Sequence, residues 1–490
     1  MRKILNNSNT KLRALVAIAS YGASNDGYLQ RVIQEYREMS FFVDIVILSN
    51  VDKSPAAGVE CRVGLPTKNP WSLPFAHKKL FAERCADYDL FIYSEDDILV
   101  TERNLRAWLA VNAHLNEDEI PGFLRVEYAL DGKRSFPDAH GCFHWDPASA
   151  RRRGPFALAH FTNEHAACYV LDSSQLQCAL RSGGFVVPPH EEKYDMLCTA
   201  ATDVYTQCGM TKLVPISCLD DFTVHHMSNR YAGKMGVSDE DFVAQTQALL
   251  QIEAGLRLSC SLLPTETRLW RAAYSKDYYE PVQQEVTNLI PDQVRSVLSI
   301  GCGIGRTEAF LSANGRRVSA IPLDGVISTR LVARGIELLG GDLESLQPAQ
   351  TTTFDCVLCL NILHLVANPV QWLALARRLM HRQSVLIIQA PNMASLPTLY
   401  RYLKEPQRMA PPHDYSVTGS HFSSVKTVTD WCERAGLDVS NLRSVASDWK
   451  GLHAALATVG ENLPGAFGHL FAPSVVFAVH LAHACRDRAA

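Results

Sequence analysis

Residues 295–306 read RSVLSIGCGIGR: an apolar run that ends on glycines at alternate positions, Gly301, Gly303 and Gly305, and then passes into a polar stretch of helical character. An unbroken apolar run is how a parallel strand buried on both faces reads. A strand that feeds a glycine turn and then a helix is the switch-point arrangement at which open α/β sheets bind ligands. Glycine suits the turn because a side chain would hold the backbone away from a ligand and would resist positive φ. RRVSAIPLD (316–324), TTFDCVLCLN (352–361) and QSVLIIQAPN (383–392) read as further strands of the same sheet.

Working outward, the first half of the chain repeats the strand-helix alternation with its own starting point. LRALVAIASYG (12–22) is predicted as a strand, GYLQRVIQEYREM (27–39) as a helix capped by Asn25 or Asp26, and FFVDIVILSN (41–50) as a second buried strand. A helix through FAHKKLFAERCA (75–86) and a strand through DLFIYSEDD (89–97) complete another step. The expectation is an α/β chain of two domains, 1–240 and 265–490, joined by a linker helix over 241–264 whose apolar stripe stops at Pro264. Residues 131–160 mix Gly, Pro, Arg and aromatics without periodicity and read as a long functional loop.

Composition narrows the class further. The chain has 490 residues, 47% of them hydrophobic and 20% charged, which excludes a disordered, collagenous or disulfide-stapled protein. No stretch approaches the roughly 18 apolar residues of a membrane-spanning helix, and the amino-terminal apolar run ends in a turn, as a strand does, and not at a leader cleavage site. The 14 cysteines show no recurrent spacing, which fits free thiols in a reducing compartment, so a cytoplasmic location is expected. Cys356 and Cys359 fall on a predicted strand, where residues three apart face opposite ways, so a shared zinc is not expected. A net charge of −4 argues against a nucleic-acid binder, while Arg151, Arg152 and Arg153 leave peripheral membrane contact open.

Acidic residues follow the glycine turn at useful distances. Asp324 lies just past the second strand, where a carboxylate can take both hydroxyls of a ribose, and Asp342 lies in LLGGDLESL, where an adenine amino group could be met. VLSIGCGIGRTEAFL, GGDLESL, FDCVLCLNILHLVANP, LIIQAPN and HFSSVKTVTDWCERAGL then follow in the order of a class I methyltransferase, and the stretch over about 265–485 resembles that family. The resemblance implies a seven-stranded Rossmann-like domain that uses S-adenosylmethionine. It assigns Gly301, Cys302, Gly303 and Gly305 to the methionine part, Asp324 to the ribose, Asp342 and Leu343 to the adenine, and Asn361 to the cofactor cleft. Two positions depart from the family pattern: Ser299 stands where an Asp is usual, and Pro322 where an acid is usual. Transfer to an oxygen also needs a base. His364 is the expected one, with His413 and His421 as rivals.

In the first half, Glu95, Asp96 and Asp97 stand in succession at a strand's carboxyl end. They repel one another unless a cation or a donor neutralises them. The alternative role, capping the helix TERNLRAWLAVNAHL, is already filled by Thr101. With AIASYG, VDIVILSN and the later TDVYTQCGMTKLVPISCLDDFTVHH, this layout over about 10–235 resembles inverting glycosyltransferases of the A-type fold. That resemblance implies Mn²⁺ or Mg²⁺ on Asp97, with His225 completing the coordination and His226 its rival. It places Glu95 and Asp96 near the donor, with Asp96 at ribose or metal, and makes Asp203 the base on the acceptor hydroxyl, with Glu191, Glu192 and Asp195 as rivals. Ser20, Tyr21, Asn50 and Asp52, after the first two strands, could meet the donor's base or ribose. HGCFHWD (140–146) holds His140, Cys142 and His144 without a second cluster, so zinc is not expected, whereas Phe143 and Trp145 could stack on an acceptor sugar.

The expected whole is a bifunctional enzyme. It would transfer a sugar from a nucleotide-sugar donor to a glycan or glycolipid, and a methyl group from S-adenosylmethionine to a sugar hydroxyl. The alternative is a methyltransferase alone, with the amino-terminal domain a non-catalytic substrate-binding or scaffolding module.

Overall fold

The computed structural model describes residues 12–53, 57–339, 353–406, 408, 410–445 and 468–482. The chain divides into two compact units, Met1–Leu258 and Ser259–Ala490.

In the first unit the order is β1 (Arg13–Ser20), α1 (Asp26–Glu38), β2 (Phe42–Ser49), β3 (Val59–Val63), α2 (Ala76–Glu83), β4 (Leu90–Glu95), β5 (Ile98–Leu99), α3 (Glu102–Asn112), β6 (Glu119–Pro121), β7 (Leu124–Tyr128), β8 (Arg134–Phe136), β9 (Arg151–Arg153), β10 (Phe156–Ala159) and β11 (Cys168–Asp172). There follow α4 (Ser173–Ser182), α5 (Met196–Thr206), β12 (Thr211–Pro215), β13 (Thr223–His226), β14 (Val237–Ser238) and α6 (Asp239–Glu253). The main sheet has the order β11-β4-β1-β2-β3, with β1, β2, β3 and β4 parallel and β11 antiparallel on the edge. Its apolar runs are buried as expected, under Leu29, Val32, Ile33 and Tyr36 of α1 and Leu105 and Trp108 of α3. Thr101 caps α3 in a reciprocal capping box with Asn104, which leaves the acids of β4 free of that role.

Two expectations fail here. Residues 131–160 are not one long loop, since β8, β9 and β10 run through them, and strands of three or four residues are too short to show periodicity. The helix expected as a linker belongs to the first unit: α6 stacks Phe242 on Phe136 at 3.9 Å between ring centroids and meets Trp145 and Phe161. Its stripe reports a buried face without saying which body buries it.

The second unit runs α7 (Gln284–Thr287), β15 (Ser296–Cys302), α8 (Arg306–Ala313), β16 (Arg317–Pro322), β17 (Ile336–Leu338), β18 (Phe354–Leu360), α9 (Pro369–Arg377), β19 (Met380–Pro391), α10 (Leu396–Lys404), α11 (Tyr415–Thr418), α12 (Val425–Arg434), β20 (Leu437–Val445) and β21 (Ser474–Leu481). A single seven-stranded sheet results, ordered β17-β16-β15-β18-β19-β21-β20, parallel up to β19 and antiparallel at β21 and β20. Alternate residues of the central strands feed separate cores on its two faces, Leu298 and Ile300 on one and Val297 and Cys302 on the other. Cys356 and Cys359 divide between those cores in the same way, so the predicted opposition of the two thiols holds.

Candidate functional site

The glycine turn lies where β15 gives way to α8, at the carboxyl end of the parallel strands. Gly301 and Gly305 both have φ of +77°, which a side chain resists. At Gly303 the constraint is space: a Cβ would stand 2.1 Å from the carbonyl oxygen of Tyr278, which accepts a hydrogen bond from Ile304 N–H at 2.8 Å. The turn, Lys276, Tyr278, Glu280, Thr307, Glu308 and Leu360 line one cavity.

Three charged residues of this cavity escaped the sequence reading. Glu308, buried in the first turn of α8, accepts a hydrogen bond from Ser299 Oγ at 2.6 Å, so a carboxylate reaches the start of the turn from the helix although residue 299 itself has none. Buried Lys276 donates to Glu280 Oε2 at 2.5 Å and to the carbonyl of Leu360 at 2.8 Å. Asn361, in the left-handed region at φ of +53°, donates to Glu280 Oε1 at 2.8 Å. Burial raises the pKa of Glu280 above the usual carboxylate value, and Lys276 opposes that shift. The signal in the sequence was the Lys-Glu pair four residues apart in KDYYE, beside aromatics and ahead of the first strand.

Asp324 lies two residues past β16, but Oδ1 accepts Val326 N–H and Ile327 N–H, each at 2.7 Å, so this oxygen caps a turn and is not free for a ribose. Asp342 and Leu343 lie outside the described residues. His364 is enclosed, with Nε2 donating to the carbonyl of Tyr274 at 2.8 Å, and burial pushes its pKa down to about 4. This corrects the expectation of His364 as the methyl-transfer base. Its rival His421 has its Nε2 3.1 Å from the carbonyl of Val366.

In the first unit, β4 delivers the three acids beside the end of β1, and each takes a different environment. Burial, with Asp97 adding to it, pushes Glu95 up to about 8. Asp96 accepts Ser20 Oγ–H at 2.6 Å and the Asn25 amide at 2.8 Å, so Asn25 stands at the cap position of α1 but gives its side chain to the acid and not to the helix. Asp97 Oδ2 lies 3.0 Å from His226 Nε2, and the Nδ1 of the same ring lies 2.5 Å from Glu127 Oε1. Burial tends to raise the Asp97 carboxyl, but the hydrogen bond and charge of His226 hold it below the usual range.

The pairing of β13 with β5 sets His225 opposite Leu99 and His226 opposite Ile98, and it is His226 that meets Asp97. His225 instead has Nε2 3.0 Å from Asn229 and lies edge-on to Tyr128, which corrects its expected role as ligand. Among the described residues no three His, Cys, Asp or Glu side chains converge as a metal site. Asp203 is buried on α5, ion-paired with Lys78 and 3.2 Å from His190 Nε2, so it presents no open carboxylate to an acceptor. Of its rivals, Asp195 caps α5. Asn50 Oδ1 accepts Gly22 N–H at 2.7 Å, Ser20 is buried on Asp96, and Tyr21 is exposed. Trp145 is buried on Phe161 and Phe242 and Phe143 stacks on Tyr194, so Trp145 is not available to an acceptor sugar. Arg151 and Arg153 share Glu119, and Arg152 pairs with Glu253, so two carboxylates offset part of the charge of the three guanidinium groups.

Residues 298–388 match a family model described as a methyltransferase domain, and this segment begins within β15 and ends within β19. No curated protein matches the chain. Solved structures similar to it include mitomycin 7-O-methyltransferase, at 18% identity and a TM-score of 0.29 over 41% of this chain and 52% of that one. A S-adenosylmethionine-dependent methyltransferase from Thermotoga maritima is similar at 20% identity and a TM-score of 0.30, over 40% of this chain and 86% of that one. An O-methyltransferase from neocarzinostatin biosynthesis, solved with S-adenosylmethionine, is similar at 12% identity and a TM-score of 0.28, over 40% and 52% of the two chains. The chain therefore spans about half the length of the first and third of these structures.

Proposed function

We propose that the second unit transfers a methyl group from S-adenosylmethionine, and that the first unit holds or delivers the acceptor. The observation that carries this reading is the glycine turn at the end of β15, backed by a cavity bearing Lys276, Glu280 and Glu308 within the segment that matches a methyltransferase domain. When bound, the donor supplies an electrophilic methyl carbon on a sulfonium. The residues of the chain provide position: Gly301, Gly303 and Gly305 admit close approach of a ligand to the backbone, and Asn361 fixes Glu280 at the rim of the cavity. An acceptor of glycan type, methylated on a hydroxyl, belongs to this proposal, as does a reducing compartment, in keeping with the free thiols of all cysteines among the described residues.

The test is calorimetric titration of S-adenosylhomocysteine into the full chain and into Gly303→Ala, whose Cβ would press on the Tyr278 carbonyl. Binding by the wild type and a loss of about tenfold or more in the variant are expected. A wild type that does not bind would overturn the reading.

A second reading, sugar transfer by the first unit, is favoured by the Glu127–His226–Asp97 chain. Glu127 on Nδ1 would orient His226 to offer Nε2 beside Asp97 to a divalent ion, the way outer-shell carboxylates fix metal-binding imidazoles. The donor set fits, although it amounts to two side chains, and the expected base, Asp203, is already paired with Lys78. For that reason the scaffold reading leads. Titration of nucleoside diphosphates with Mn²⁺ into wild type and Asp97→Ala separates them: metal-dependent binding lost in the variant supports sugar transfer, and its absence leaves the scaffold.

A further inference from the structure

Among the described residues six that are not glycine have positive φ, and three of them fall within four positions: Arg271 at +53°, Ala272 at +49° and Tyr274 at +63°. Left-handed backbone costs energy wherever there is a Cβ, and it persists where surrounding contacts over-determine it. The three belong to the segment 263–282, which crosses the carboxyl edge of the sheet from β16 to β18. Its two ends are tied down on the side of β16 and α8. Ser261 bridges to Asp324, Leu262 N–H donates to the Leu323 carbonyl at 2.7 Å, and Gln283 N–H donates to Thr307 Oγ1 at 3.0 Å.

Between those anchors the segment is shut over the glycine turn. The Tyr278 carbonyl accepts Ile304 N–H and fills the space beside Gly303. Lys276 reaches the Leu360 carbonyl at the end of β18, and Glu280 takes the Asn361 amide. The cavity thus lies between the turn and its cover, and a ligand seated on the turn has to pass that cover to enter or leave. A second set of contacts holds the strained residues down. His364 Nε2 lies 2.8 Å from the Tyr274 carbonyl, and Tyr274 Oη lies 2.8 Å from Tyr402 Oη of α10. Arg268 donates to two carbonyls of α11, from its backbone N–H to Thr418 at 2.8 Å and from Nε to Val417 at 2.7 Å. None of Arg268, Tyr274, His364 and Tyr402 lines the cavity.

We propose that residues 263–282 form a lid that opens and shuts over the glycine turn, hinged at its two anchors and latched by Arg268 and Tyr274 onto α10, α11 and His364. Strain and latch oppose each other: the left-handed residues favour release, and the polar contacts favour closure. The latch lies outside the cavity, so it contributes alike whether the cavity is filled or empty. Weakening it speeds entry and exit together and leaves Kd unchanged, whereas a merely structural loss would raise the exit rate alone. That the ligand is a nucleoside thioether rests on the methyl-transfer reading; the opening does not.

The test is stopped-flow binding and release of S-adenosylhomocysteine by the full chain, together with hydrogen exchange read by mass spectrometry. Wild type, Tyr402→Phe and Ala272→Gly are compared, with circular dichroism as the control for folding. Tyr402→Phe, which removes one hydrogen bond of the latch, is expected to raise both rates about fivefold. Ala272→Gly, in which glycine takes the left-handed conformation without strain, is expected to lower both. In the empty wild type the amides of 263–282 should exchange faster than those of β15, and the ligand should slow them. Rates that do not move in opposite directions in the two variants, a change confined to release, or lid amides that exchange as slowly as those of β15 would overturn the proposal. A wild type that does not bind S-adenosylhomocysteine removes the methyl-transfer reading alone. Exchange then decides for the lid: it stands if Tyr402→Phe quickens and Ala272→Gly slows exchange across 263–282, and it falls if they do not.

Discussion

Ser299 and Glu308 are nine positions apart, yet they share a hydrogen bond beneath the glycine turn. At this scale the sequence marks which strand ends carry chemistry but not which side chains meet there. Gly301, Gly303, Gly305 and the acids at 95–97 are legible because a strand end is a local event. His226 in place of His225 depends on strand register, and the enclosure of His364 depends on the distant Tyr274. Buried histidines also set a pH response. His77, with Nε2 2.5 Å from Tyr169 Oη, is pushed down to about 3 by burial, and His364 to about 4. Above the ordinary value of about 6.5 both are neutral whether the chain is folded or not, so they contribute no pH dependence. Below it the unfolded chain takes up protons that the folded chain refuses, so stability falls as pH falls, by up to about 1.4 kcal/mol per pH unit for each histidine. Urea unfolding between about pH 6.5 and about pH 4 should show this slope. In His364→Gln, whose amide can still donate to the Tyr274 carbonyl, the share of the second unit should vanish.

Elements were the most legible level. The apolar runs of β1, β2, β4, β15, β18 and β19 read correctly because strands buried on both faces need nothing but apolar residues, and α1 read correctly from periodicity and α3 from periodicity and its Thr101 cap. Short strands such as β8, β9 and β10 have too few residues for a period, and pairing between elements leaves no local trace. The Lys78–Asp203 pair illustrates this, tying α2 to α5 across 125 positions, with both side chains buried. Removing one member of such a pair strands the other charge, which costs about 3–5 kcal/mol. Asp203→Asn should therefore lower the urea midpoint sharply. If Asp203 were instead an acceptor base, the same variant would keep its stability and lose only turnover.

At the scale of the whole molecule, the division falls at 258/259, and the second unit holds its sheet, its glycine turn and the segment that closes over it. Residues 259–490 expressed alone should fold and bind S-adenosylhomocysteine as the full chain does. At a hundredfold excess over Kd the ligand should stabilise them by about 2.7 kcal/mol in thermal unfolding, whereas 1–258 should not respond. That two α/β units exist was legible from two independent strand-helix series. Where they part was not, because α6 looks the same from the sequence whether it bridges the units or packs on one. The placement of α6 has a practical outcome. A truncation after residue 240 would strip Phe242 from Phe136, Trp145 and Phe161, leaving a greasy notch of aromatic rings in water, and the fragment would clump during purification for a reason unrelated to its activity.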